Sequence, residues 1–190
     1  MLKLVVGLVI FLGVHSIAIF APGWRERMIA RVGVSPWKIL YSLVSIAGFL
    51  LIVSGYAAAR AEPVLLYQPP FWLRHVAMLL LLPAFPLLLA AYLPGRIKAA
   101  VKHPMLAAVK AWALAHLLVN GMVADVLLFG GFLAWAVLDR ISAGKRPQAP
   151  TTLRASATRN DIIAVVAGLG IYVLFVAWGH VRLVGVPVMP

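Results

Sequence analysis

Residues 71–93 read FWLRHVAMLLLLPAFPLLLAAYL, and this stretch decides the fold class. Beyond His75 it carries no charged side chain, and at about twenty residues it is long enough, as a helix, to cross a hydrocarbon core of ~30 Å. Pro69-Pro70 opens the run and Pro94-Gly95 stops it, as residues of those types do at helix ends. Pro83 and Pro86 fall inside it. Each removes a backbone donor and crowds the preceding turn, which predicts a kink with room for a cavity beside it.

Five more apolar runs flank this one: Leu2 to Ala21, Lys38 to Ala59, Met105 to Val119, Val123 to Leu138, and Asp161 to Val181. The fourth and fifth spans in chain order are short and read as a two-helix hairpin turning at Asn120-Gly121. Ser35-Pro36 supplies a cap and a first-turn proline for the second span, Pro104 opens the fourth, and Thr158-x-x-Asp161 has the form of a capping box for the sixth. The first run has no strongly basic stretch ahead of it and no A-x-A-like cleavage site before Pro22, so it is expected to be a retained helix. Ser142 to Asn160, rich in Pro, Thr, Ala and Arg, reads as a mobile linker.

Composition agrees with this reading. A mean hydropathy of +1.01 and a hydrophobic share of 64% exceed what a soluble domain carries. The expectation is an all-α polytopic membrane bundle of about six helices, a single transmembrane domain over residues 1–190. No cysteine is present, which removes disulfides, thiolate ligands and cysteine nucleophiles.

The positive charge is concentrated in three loops. Arg25, Arg27, Arg31 and Lys38 follow the first span; Arg96, Lys98 and Lys102 follow the third; Arg140, Lys145, Arg146, Arg154 and Arg159 follow the fifth. The positive-inside rule puts these loops in the cytoplasm and both termini outside. The net charge of +12 is then mainly a topology signal, with the lipid bilayer as the partner it implies. Basic residues scattered over short juxtamembrane loops, with no recognition fold, argue against nucleic acid.

Histidine is the residue type whose placement bears on chemistry. His15 and His116 lie within apolar runs, at depths of roughly 9 Å and roughly 16 Å from the cytoplasmic helix ends. An imidazole in hydrocarbon needs a partner. On the fourth span Trp112, His116 and Asn120 share a face with Val109 and Ala113, while on the first Leu8, Phe11, Leu12 and His15 do. Two readings stand. Two such stripes facing each other would suit a flat apolar ligand such as haem b, with His15 and His116 as metal ligands and Trp112 and Asn120 beside them. In the other reading each histidine bonds a neighbouring helix, as polar residues in bundles do.

Lys102-His103-Pro104-Met105 forms a second cluster. In a tight hairpin of the fourth and fifth spans, His103 comes opposite Asp139, giving a cytoplasmic-side proton or anion site or else a structural pair. Lys110 reads as snorkelling to the cytoplasmic surface, against a lipid phosphate or a ligand carboxylate. His75 and His180 fall near outer helix ends. Glu62, Asp125 and Asp161 are too scattered for a paired-carboxylate or di-metal centre; Asp125 reads as a partner of Arg74 or Arg182, or as a solvated rim charge.

Seven segments carry a family resemblance: Ala21-Pro22-Gly23-Trp24-Arg25-Glu26-Arg27, Tyr41-Ser42-Leu43, Pro70-Phe71-Trp72-Leu73-Arg74-His75, Lys102-His103-Pro104-Met105-Leu106, Trp112-Ala113-Leu114-Ala115-His116, Asn120-Gly121 and Phe129-Gly130-Gly131-Phe132. The chain resembles the NnrU family of bacterial membrane proteins over nearly its whole length. That resemblance implies an inner-membrane protein associated with nitrite and nitric oxide metabolism in denitrification. The partners to expect are a hydrophobic small molecule or, if the chain is a non-enzymatic assembly or regulatory protein, the denitrification enzymes themselves. The family is in turn similar to zeta-carotene isomerase, a haem b membrane enzyme, whose His-Ser, His-Pro and Ala-His positions match His15-Ser16, His103-Pro104 and Ala115-His116. That similarity implies His15 and His116 as axial ligands; the isomerase's ligand-switching cysteine is matched here by Ala113. Lys-His-Pro-Met is also similar to the Arg-His-Pro segment of isoprenylcysteine-type membrane methyltransferases, which use S-adenosylmethionine. Their paired glutamates are replaced by the lone acid Asp139.

Overall fold

The computed structural model describes residues 1–146 and 157–188. Among them every regular element is helical, apart from one antiparallel bridge between Leu65 and Met122. The helices are α1 (Leu2–Phe20), α2 (Pro22–Val32), α3 (Val34–Ala61), α4 (Leu73–Leu81), α5 (Ala84–Tyr92), α6 (Arg96–Val101), α7 (Pro104–Val119), α8 (Val123–Lys145) and α9 (Ala157–Leu174). A wide π turn at Phe175–Gly179 carries α9 into the short α10 (His180–Val184). Among the described residues, five segments are long and apolar enough to cross a membrane, namely α1, α3, α4 with α5, α8, and α9 through α10. At 16 residues, α7 rises about 24 Å. Large apolar side chains point outward, with Val9 67%, Leu79 70% and Leu183 78% exposed, which suits lipid as the surrounding solvent.

The chain divides into two compact units, and the division passes through α7. Unit 1 holds residues 1–71 and 116–146. Its α1 runs antiparallel along α3 at a distance only glycine permits. A Cβ on Gly7 would lie 2.6 Å from the Ile52 nitrogen and one on Gly48 2.9 Å from the Phe11 nitrogen, while one on Gly55 would strike the Leu4 backbone. Close approach of this kind replaces the hydrophobic driving force that helices lack in lipid. Gly33, at φ 89°, makes the joint between α2 and α3, a conformation that glycine alone adopts without strain.

Unit 2 holds residues 72–115 and those beyond 146. The helix is interrupted at the prolines: it stops at Leu81 and resumes at Ala84, around Pro83. The space beside the break is filled by α9, whose Gly168 backs onto Pro86 so tightly that a Cβ would lie 2.5 Å from the proline nitrogen. The buried Tyr172 donates its hydroxyl to the Met78 carbonyl at 3.0 Å.

Several boundaries differ from expectation. The basic loops after the first and third spans contain helices, α2 and α6, too polar and short to register as apolar runs. Helix α3 begins at Val34, so Ser35-Pro36 lies in its first turn and does not cap it. Ser142–Lys145 belongs to α8 and Ala157–Asn160 to α9, which shortens the linker at both ends; residues 147–156 lie outside the described residues.

Asp161 does not cap its own helix. Its carboxylate accepts from the Arg96 and Ile97 amides at 2.9 and 3.1 Å, and Asn160 Nδ2 donates to the Pro94 carbonyl at 2.7 Å. It thus caps α6 from another helix, and a Cβ on the intervening Gly95 would strike it. Local spacing identified a capping residue, but the amides it serves are brought to it by tertiary structure. Asp161→Ala is expected to cost about 1 kcal/mol, as loss of an N-cap does. Hydrogen exchange should accelerate at the Arg96 and Ile97 amides while the middle of α9 stays protected; unchanged exchange there would refute the cap.

Candidate functional site

Unit 1 contains two side-chain clusters at different heights along α8. The first surrounds His15. Its imidazole stacks on Phe11 one turn earlier (centroids 4.2 Å apart, planes 25°), with Tyr41 of α3 at 5.2 Å and Trp135 of α8 at 5.9 Å, edge-on at 89°. Phe132 closes the box against Phe11 at 5.6 Å. His15 Nδ1 lies 2.7 Å from the Phe11 carbonyl. A carbonyl only accepts, so Nδ1 carries the proton, and Nε2 of the neutral ring keeps its lone pair. Trp135 Nε1 is buried with no hydrogen-bond partner.

The second cluster is built on Asp125, the one buried charged side chain among the described residues, with 0% exposure. Its Oδ1 accepts from the Tyr56 hydroxyl at 2.6 Å and its Oδ2 from the Met122 amide at 2.9 Å, which ties α3 to the first turn of α8. The sequence reading of Asp125 as a rim charge, or as a partner of Arg74 or Arg182, is therefore corrected: its partners are Tyr56 and Met122. Phe129 lies edge-on to Tyr56 at 6.3 Å and stacks on His116 at 4.6 Å and 25°, while Arg60 sits 6.0 Å over the Tyr56 ring.

Around this cluster the segment after α3 is fastened to the turn between α7 and α8. Leu66 N donates to Gly121 O at 2.8 Å and Val123 N to Val64 O at 2.9 Å; a side chain on Gly121 would strike the Tyr67 carbonyl. The Tyr67 hydroxyl is shared between the carbonyls of Asn120, at 2.7 Å, and Leu117. Burial first, and the nearby Asp125 second, raise its pKa above the ordinary phenol value, so it stays a donor. Asn120 Nδ2 in turn donates to the His116 carbonyl at 2.9 Å, making Asn120 a component of the turn.

The two histidines of the paired-ligand reading lie in different clusters. His15 keeps company with Trp135 and His116 with Phe129, and those two residues stand roughly 9 Å apart along α8. Imidazoles on opposite faces of one porphyrin converge on a single iron, whereas these two rings belong to separate aromatic clusters. Of the two, His15 has its ring N–H held by a backbone carbonyl, the kind of bond that orients a ligating imidazole. Among the described residues no three His or carboxylate side chains gather into a metal site.

The remaining predicted residues are spread elsewhere. Trp112 and Lys110 are half-buried on the part of α7 that belongs to unit 2. His75 is exposed at the start of α4, its Nδ1 3.3 Å from the Trp72 carbonyl. Asp139 accepts from Arg146 at 2.6 Å, two turns along its own helix. His103 follows Lys102, whose φ of 64°, with His103 N 2.7 Å from Val101 O, forms a strained three-residue turn. Lys102-His103-Pro104 thus swings the chain from α6 into α7. Tyr56, Tyr67 and Trp135 were missed because nothing in their local sequence marks what they face.

The profile of a protein family described as NnrU protein matches residues 3–188. The chain belongs to the NnrU family. No curated protein and no solved structure matches it. Within this NnrU-family chain, the quoted Asn120-Gly121 and Phe129-Gly130-Gly131-Phe132 segments form the tight turn and the α8 face that carry the two clusters.

Proposed function

We propose that this NnrU-family chain serves nitrite and nitric oxide metabolism in the bacterial inner membrane, basic loops inward, and that its working site is the aromatic box around His15. The imidazole there receives a lipophilic small molecule on Nε2. One observation carries this reading: the bond from Nδ1 to the Phe11 carbonyl fixes the tautomer and leaves a lone pair where hydrocarbon offers it no partner.

Haem b is a second occupant, supported by the same bond, with His15 as its axial ligand and Phe11, Tyr41, Phe132 and Trp135 around it. When bound, it would supply redox and gas-binding chemistry at that depth. The role of the chain's residues is to orient the ligating nitrogen and exclude water.

The test is complementation of a denitrifying strain from which the chain has been deleted. His15→Ala, at wild-type membrane abundance, is expected to leave nitrite and nitric oxide consumption near the deletion level. Full restoration by His15→Ala would overturn the site and favour a non-enzymatic partner role. Protein purified from haem-replete cells separates the occupants. A Soret band lost in His15→Ala and kept in His116→Ala supports haem; colourless protein rules it out.

A further inference from the structure

We propose that the His15 box holds the ring hydroxyl of a membrane-soluble hydroquinone, one oxygen accepting from Trp135 Nε1 and donating to His15 Nε2. This rests on the reading of His15 as the working site and names its ligand class.

The argument is one of matching donors to acceptors. Other polar side chains within unit 1's helices have partners: Ser45 Oγ donates to the Tyr41 carbonyl one turn earlier at 2.7 Å, and Tyr56 donates across helices to Asp125 at 2.6 Å. His15 Nδ1 is committed to Phe11. Among the described residues Trp135 Nε1 is the exception, a buried donor without an acceptor, on a ring perpendicular to the imidazole at 5.9 Å. Leaving such a group unpaired in an apolar interior is costly, so an unmatched one calls for a ligand or a water.

The unmatched set is one donor and one acceptor on neighbouring rings. A carbonyl or ether would satisfy only the indole, and an ammonium only the imidazole; a hydroxyl satisfies both with one oxygen. Phe11, Tyr41 and Phe132 make the surroundings aromatic, which favours a flat ring bearing that hydroxyl over a lone water. With five spans in lipid, the bilayer is the source from which an apolar phenol would enter.

The full chain in lipid nanodiscs is titrated with a decyl-tailed dimethoxymethyl hydroquinone, and retention by empty nanodiscs is subtracted. The hydroquinone is expected to bind about tenfold tighter than its dimethyl ether, which accepts but cannot donate. Trp135→Phe should weaken both about fivefold, and His15→Leu should erase the difference between them. The wild-type comparison of hydroquinone with ether decides the matter even where a variant fails to fold. Retention no greater than in empty nanodiscs, equal affinity for the two probes, or an unaffected Trp135→Phe would each overturn the proposal, with a bound water alone then satisfying the indole. Failure here while His15→Ala still fails complementation removes the ligand class and leaves the site; success of His15→Ala in complementation removes the site itself.

Discussion

Gly55→Ala is expected to destabilise unit 1 by about 3 kcal/mol, the upper range of overpacking, and Gly55→Val to prevent its assembly. The added Cβ meets the Leu4 amide and Cα and the Lys3 carbonyl carbon. These are backbone atoms of a helix held by its own hydrogen bonds, so no side chain can swing aside. Leu4 itself is fully buried, which leaves α1 no room to retreat without exposing what the seam packs. Gly7 and Gly48 hold the same seam, whereas an added methyl on Gly13 or Gly170 would meet nothing within 4 Å. Gly13→Ala and Gly170→Ala should therefore shift stability by no more than about 1 kcal/mol, in the stabilising direction set by helix propensity. Unfolding midpoints in mixed-detergent titrations rank the four variants. Gly55→Ala as stable as Gly13→Ala would mean that α1 and α3 do not meet in this register.

Asp125→Ala carries the second large effect, a loss of about 3 kcal/mol, because it orphans two donors. The Tyr56 hydroxyl and the Met122 amide both point at the carboxylate, and Asp125 is sealed from solvent. Tyr56→Phe removes one of these bonds and should cost less, roughly 1–2 kcal/mol. Limited proteolysis supplies a second readout. The segment bridged at Leu65 to Met122 should become cleavable in Asp125→Ala while α1 and α3 stay resistant. Unaltered stability and cleavage in Asp125→Ala would show the carboxylate to be dispensable to the fold.

Asp125 and Asp161 also show why much of the site was hidden from the sequence. Both are lone acids near helix ends, and spacing alone suggested a rim charge and a local cap. One instead joins α3 to α8, and the other caps α6 from α9. Asp125 does accept from the nearby Met122 amide, but the partners that cross between helices are distant in the chain, Tyr56 and Asp125 being 69 positions apart, and a carboxylate takes whichever donors folding brings to it. His15 was legible because an imidazole in a long apolar run is conspicuous. Trp135 was not, since a tryptophan in a membrane span is ordinary until its N–H is found without an acceptor.

Lipid imposes on any chain the features that are legible here without a structure: apolar runs of spanning length, breaks at Pro83 and Pro94-Gly95, basic residues gathered between particular runs, and a few histidines that hydrocarbon disfavours. The NnrU membership also follows from sequence alone. That Gly7, Gly48 and Gly55 form one seam, that α9 packs against the proline break, and that His15 and His116 belong to separate clusters emerges from folding alone. The physical reason is that hydropathy and local capping depend on a residue and its near neighbours, whereas close backbone approach and hydrogen-bond partnership depend on which distant surfaces meet.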